Sequence, residues 1–276
     1  MDPHFELHRA IVQSVRLLPL TPHSTPRRER LLLIAGLAVM VAVAWIYTGR
    51  LAWQMGHMDS APNMFMPHAG PWSLTEFWLL FVMWAVMMVA MMLPSATPLI
   101  MMFAASSRGG RTNGLAVSAT SLFVSGYLLV WAAFSAGATA VQWAFHQTAL
   151  LSPMMVSRTP ILGGILLIAA GLFQWTPWKR SCLRHCRSPL SFILGHWKPG
   201  NLGALRMGIE HGAYCTGCCW ALMALLFVAG VMNLVWIAVI AAFVLLEKTV
   251  PQGESIGRGA GVILAAWGLY VLAAAL

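Results

Sequence analysis

Long runs of apolar residues, separated by short polar stretches, dominate the pattern along the chain. Crossing a hydrocarbon core of about 30 Å as a helix takes roughly 20 apolar residues. Seven runs approach or exceed that length, and they cover residues 31–49, 76–105, 114–145, 160–178, 212–231, 233–247 and 259–276. The pattern predicts an all-α fold, a polytopic transmembrane helix bundle of about seven spans.

Two of these segments carry features that change the prediction. The second contains Pro94 and Pro98, which we expect to kink or break the helix, because proline removes a backbone hydrogen bond and crowds the preceding turn. The sixth segment, 233–247, is the shortest and follows the fifth almost at once, so the two should form a tight hairpin. If the sixth does not cross, the count is six and the C-terminal helix reverses its direction.

Basic residues favour one orientation of this bundle. Lys and Arg are retained in the cytoplasmic segments of membrane proteins, and with the N-terminus inside, only Arg50 and Arg158 fall on the outer side. We therefore predict a cytoplasmic N-terminus and a multi-pass protein of the inner (cytoplasmic) membrane. The basic residues behind the net charge of +9 are spread over several loops, as topology signals are. A nucleic-acid site would instead cluster its charge on one face. No nucleic-acid partner is expected.

The chain divides into a tail and one helical domain. Residues 1–30 form the predicted cytoplasmic tail, in which apolar residues at near-helical spacing favour an interfacial helix or a loosely ordered segment about equally. No cleavable signal peptide is expected, because Arg16 and several prolines interrupt this region. Residues 31–276 form a single transmembrane domain with an outer loop at 50–75 and an inner loop at 179–211.

All five cysteines lie in the inner loop or in the first turns of the following span, and we expect them to gather at the cytoplasmic end of the bundle. That compartment is reducing, so clustered cysteines there indicate a metal site or a redox site rather than structural disulfides. Residues four apart share one helix face, which applies to His211, Cys215 and Cys219. The candidate metal ligands are Cys182, His185, Cys186, His211, Cys215, Cys218 and Cys219, with Glu210 and His196 in supporting positions.

The outer loop offers soft ligands of a different kind. Thioethers and imidazoles suit Cu(I), and methionine remains a ligand in an oxidising compartment where paired thiols would form disulfides. The candidate capture residues are Met55, His57, Met58, Met64, Met66 and His68. Incidental packing of methionine in a surface loop is the alternative.

A row of methionines follows in the second span. Met83, Met87 and Met91 step by four, as do Met88 and Met92, so each series shares a helix face. The row is a candidate path for a soft ion through the membrane. It would serve equally as a flexible packing surface, which is the usual role of methionine.

Three stretches of the chain resemble a known family. They read "FVMWAVMMVAMMLPSATPLI", "CLRHCRSPLSF" and "HGAYCTGCCWALMALLFVAGVMNLVWIAVIAAFVLLEK". Together they resemble the family of predicted metal-binding integral membrane proteins known as domain of unknown function 2182, over roughly residues 70–250. The resemblance implies metal binding by the methionine helix and by Cys182, Cys186, His211, Cys215, Cys218 and Cys219.

Three functional hypotheses follow. The first is Cu(I) handling without enzyme chemistry: capture on the outer loop, conduction along the methionine helix, and transfer from the inner cluster to a metal-transfer protein. Zinc is the alternative metal, since a Cys-rich site binds both. The second is a membrane thiol oxidoreductase in which the C-x-x-C pair of Cys215 and Cys218 exchanges electrons with a quinone. The third is a non-catalytic assembly subunit of a membrane complex.

Overall fold

The computed structural model describes residues 27–56, 73–107, 113–147 and 160–275, and these form helices joined by short connections. The helices are α1 (Arg27–Gly56), α2 (Leu74–Ser106), α3 (Asn113–Gln147), α4 (Pro160–Phe173), α5 (Pro177–Arg187), α6 (Pro189–His196), α7 (Gly200–Ala224), the single turn α8 (Leu226–Ala229), α9 (Leu234–Thr249) and α10 (Gly253–Ala275). No strand occurs in these ranges. The all-α prediction is confirmed.

Five described segments are long and apolar enough to cross a membrane: α1, α2, α3, α7 continued by α8, and α10. The pair α4 and α5, bent by 64° at its break, would make a sixth. The predicted span 233–247 corresponds to α9, whose 16 residues reach only about 24 Å at 1.5 Å per residue. The described helices thus give five or six candidate spans where the sequence predicts seven.

Helix α2 continues through Pro94 and Pro98, so the prolines do not break it. Its N-terminus is fixed by a capping box in which Ser73 and Glu76 bond each other's backbone N–H. Near the prolines, the Ser95 hydroxyl donates to the Met92 carbonyl oxygen at 2.9 Å. Helices α1, α3 and α9 pack around α2, and such neighbours stabilise a proline-containing helix in an apolar setting.

Two close helix pairs hold the bundle together. Helix α3 packs along α7, where Cβ atoms at Gly126 and Gly208 would overlap backbone atoms of the facing helix. Helix α4 packs along α10 in the same way, through Gly171 and Gly268. Small residues allow backbones to approach closely, and the resulting dispersion contacts stabilise helix pairs in lipid.

The predicted inner loop 179–211 is helical. It consists of α5, α6 and the first turns of α7, and α5 begins at Pro177 behind the capping side chain of Thr176. Helix α5 buries one face, formed by Lys179, Cys182, Leu183 and Cys186. This face packs on α7 and brings Cys182 and Cys186 toward the three cysteines of that helix.

Candidate metal centre

Four thiols gather where α2, α3, α5, α7 and α9 meet. Cys215, Cys218 and Cys219 on α7 are almost completely buried, and Cys186 on α5 is nearly so. The Cys186 thiol interacts with those of Cys215 and Cys218. These four residues are called the thiol cluster below. The cluster lies near the middle of α2, α3 and α7 rather than at the end of the bundle, where the sequence pattern predicts it.

The four thiols are close together but are not arranged around an ion. The Cys218 and Cys219 thiols donate to the Cys215 carbonyl oxygen of their own helix, at 3.1 and 2.9 Å. None of the five cysteines is disulfide-bonded. Within the described ranges, no group of three or more His, Cys, Asp or Glu side chains has the geometry of a formed metal site. Rotation of the thiols about χ1 would be needed to bring them onto one ion.

A buried lysine contacts the cluster. The Lys248 ammonium on α9 donates to the Cys215 sulfur at 3.0 Å and to the Ser95 hydroxyl at 3.2 Å. The adjacent Glu247 carboxylate pairs instead with Lys179, at 2.5 Å. Burying an ammonium is costly unless a counter-charge is near, and a thiolate at Cys215 would supply that charge.

Met92 and Tyr127 complete the surroundings of Cys215 and Cys219. The Met92 thioether sulfur on α2 lies 3.9 Å from the Cys219 sulfur. The Tyr127 hydroxyl on α3 lies 3.2 Å from the Cys215 sulfur and donates to the Met92 carbonyl oxygen at 3.1 Å. Met92 is thus at the cluster itself. The other methionines of the candidate path are also buried, namely Met83, Met87, Met88 and Met91.

His211 lies one helical turn before Cys215 and is 2 % exposed. Its ring stacks on Tyr127 at 5.6 Å between centroids and meets Phe192 at 5.5 Å. Its Nδ1 atom has no hydrogen-bond partner. A buried imidazole nitrogen without a partner is unusual, and His211 is therefore a further candidate ligand beside the thiol cluster.

The remaining predicted ligands lie around the cluster and make other contacts. His185 stacks on Tyr214 at 4.1 Å and lies 5.8 Å from His196, measured between ring centroids. The Cys182 sulfur faces Gly217, where an added Cβ would approach it to 2.9 Å. The Glu210 carboxylate pairs with Lys198 and Arg206.

The outer capture residues are mostly outside the described ranges. Met55 lies near the end of α1 and is buried. The other five, His57, Met58, Met64, Met66 and His68, are not among the described residues.

Sequence reasoning missed Lys248 and Tyr127. Lys248 carries a signal that was available, since an ionisable residue in an apolar helix marks a functional site by default, and Glu247 and Lys248 directly follow the apolar segment within α9. Tyr127 carries no such signal. Its position beside Cys215 depends on the packing of α3 against α7, which no local pattern predicts.

No curated protein and no solved structure matches this chain. A family model described as PpoB2, copper chaperone, matches residues 81–271. The match includes the thiol cluster, Lys248 and the methionines of α2, and it extends over more than half of the sequence. The chain therefore belongs to this copper chaperone family.

Proposed function

We propose that this chain is a multi-pass membrane protein that holds Cu(I) in the thiol cluster and hands it to a metal-transfer protein. The observation that carries the proposal is the meeting of four buried thiols with the Met92 thioether in a member of a copper chaperone family. Thiolate and thioether are soft ligands that select Cu(I). The cargo is a single ion, and no enzyme chemistry is required.

The charge near the cluster supports a monovalent ion. Cu(I) bound by two thiolates carries one net negative charge, which the Lys248 ammonium beside Cys215 would neutralise. A zinc ion prefers four ligands, and bound by all four thiolates it would carry two net negative charges, one more than Lys248 can neutralise. In an apolar bundle that difference favours Cu(I), since an uncompensated buried charge is costly.

The thiol orientations support reversible binding. Cys218 and Cys219 are bonded to their own backbone, so loading replaces two modest hydrogen bonds by metal–sulfur bonds, and release restores them. The site exists in the folded protein without being rigidly closed. A chaperone must release its cargo, and this arrangement allows release without unfolding any helix.

The buried methionines extend the proposal toward the outer side. Met83, Met87 and Met91 are buried along α2, between its N-terminal end and Met92 at the cluster. We propose that Cu(I) captured by the outer loop 50–75 reaches the cluster along this row. The orientation is the predicted one, with a cytoplasmic N-terminus in the inner membrane.

The test is the metal content of the full chain, purified anaerobically in detergent and measured by mass spectrometry. Wild type is compared with Cys215→Ser/Cys218→Ser, and the matched control is Cys182→Ser, whose thiol faces Gly217 and is not one of the four. We expect copper in wild type and in the control, and its loss in the double variant. Equal copper in all three proteins, or zinc in place of copper, would refute the proposal.

A further inference from the structure

We propose that His185 and His196 form a second Cu(I) site, separate from the thiol cluster, through which the ion passes on its way between the cluster and the transfer partner. This proposal rests on the proposed function for the identity of the ion. It also changes the role of both residues. His185 is then not a ligand of the cluster, and His196 is a ligand rather than a supporting residue.

The spacing of the two rings fits a shared ion. Their centroids are 5.8 Å apart and their planes are 78° apart. With metal–nitrogen bonds of about 2 Å, two imidazoles bound on opposite sides of one ion have centroids about 6 Å apart. Perpendicular ring planes are compatible with that arrangement, since the rings can take any rotation about the common nitrogen–metal–nitrogen axis.

The hydrogen bonds leave one nitrogen of each ring for a ligand. Nδ1 of His185 lies 2.9 Å from the Ser181 carbonyl oxygen, and Nδ1 of His196 lies 3.2 Å from the Phe192 carbonyl oxygen. A carbonyl oxygen accepts only, so each Nδ1 carries the proton and each Nε2 presents its lone pair. Metal-binding histidines commonly donate their other ring N–H to a backbone carbonyl in this way.

Aromatic neighbours hold both rings in place. His185 stacks on Tyr214 with 4.1 Å between centroids and 4° between planes. His196 stacks on Phe192 at 4.9 Å and 14°. Each imidazole therefore has one face packed, which limits its rotation.

The pair lies directly beside the cluster. His185 precedes Cys186 on α5, and its stacking partner Tyr214 precedes Cys215 on α7. The cysteines point into the bundle and are buried, whereas His185 and His196 are partly exposed. An ion leaving the cluster on this side meets the imidazoles next. In the transfer, a thiolate–copper bond breaks as an imidazole–copper bond forms, and copper remains Cu(I).

The experiment loads the full-length protein with Cu(I) anaerobically, one equivalent at a time, and records copper X-ray absorption. We expect wild type to take a first equivalent with sulfur ligands and a second with nitrogen ligands. His185→Phe/His196→Phe keeps an aromatic ring at both positions but removes the nitrogens. This variant should fail to bind only the second equivalent of copper. The matched control Tyr214→Phe keeps the stacked ring without its hydroxyl and should bind both.

Several results would overturn this second site. They are a second equivalent that survives in His185→Phe/His196→Phe, a second equivalent without nitrogen ligands in wild type, and the absence of a second equivalent in wild type. The wild-type spectrum decides the last two even if the double variant fails to fold. Failure of the proposed function gives a different pattern, in which wild type binds copper through nitrogen alone and Cys215→Ser/Cys218→Ser changes nothing.

Discussion

At the scale of single residues, the chemistry of the cluster depends on which polar groups face Cys215. Its sulfur is contacted by the Lys248 ammonium and lies near the Tyr127 hydroxyl, and all three residues are buried. Hydrogen bonds from a charged donor are stronger than neutral ones, and their removal leaves a buried group unsatisfied. Lys248 is therefore the residue whose substitution should alter copper binding without removing a ligand.

Replacing Lys248 by Met should weaken Cu(I) binding, because the negative charge of the loaded cluster would lose its counter-charge. A charge-assisted hydrogen bond contributes about 1.5–3 kcal/mol, so we expect the affinity to fall by about 10- to 150-fold. Lys248→Arg should recover part of the loss. The measurement is competition with a Cu(I) chelator of known affinity.

The control for that experiment is Lys198→Met, since Lys198 pairs with Glu210 away from the cluster. Its affinity for Cu(I) should match that of wild type. If Lys248→Met also binds copper as wild type does, then Lys248 has no part in holding the ion.

At the scale of helices, one face of α7 has two tasks. Gly208 and Gly212 lie against α3, and Cys215 and Cys219 continue the same face at spacings of three and four residues. The spacing of four residues was enough to predict that His211, Cys215 and Cys219 share a face. It could not predict that α5 bends 64° away from α4 to bring Cys186 to them, because that bend depends on the turn at residues 174–176 and on tertiary packing.

The contact between α3 and α7 predicts a stability effect. A methyl group at Gly208 would overlap the Phe123 carbonyl oxygen, so Gly208→Ala should force the helices apart. Overpacking typically costs about 1–3 kcal/mol, and we expect a lower midpoint of thermal unfolding for the full chain in detergent.

Gly137→Ala on α3 is the matched substitution, because an added Cβ there meets nothing within 4 Å. It should be neutral or slightly stabilising, by up to about 1 kcal/mol, since alanine is the better helix former. Equal unfolding midpoints for the two variants would show that α3 and α7 do not approach closely at Gly208.

At the scale of the whole molecule, the length of the apolar runs predicted the class of fold, and the described helices agree with it. The number of spans was harder to predict, because composition cannot distinguish a short apolar helix such as α9 from one that crosses the membrane. The buried ion pair of Lys179 and Glu247 was also beyond prediction. Its partners come from different helices, and no spacing in the sequence relates them.

The predicted orientation gives a labelling test in intact cells. With the N-terminus inside, α2 begins outside and α6 lies inside. Both Thr75 near the start of α2 and Ser191 on α6 are exposed, whereas the five native cysteines are buried. A membrane-impermeant thiol reagent should label Thr75→Cys directly and Ser191→Cys only after permeabilisation. The opposite pattern would place the N-terminus outside.

The most direct single measurement is the copper X-ray absorption spectrum of the wild-type chain carrying one equivalent of copper. Binding in the thiol cluster predicts the edge of Cu(I) and sulfur ligands at about 2.3 Å, the usual metal–thiolate distance. A first equivalent bound as Cu(II), or through nitrogen and oxygen alone, would contradict the assignment of the thiol cluster as the copper site.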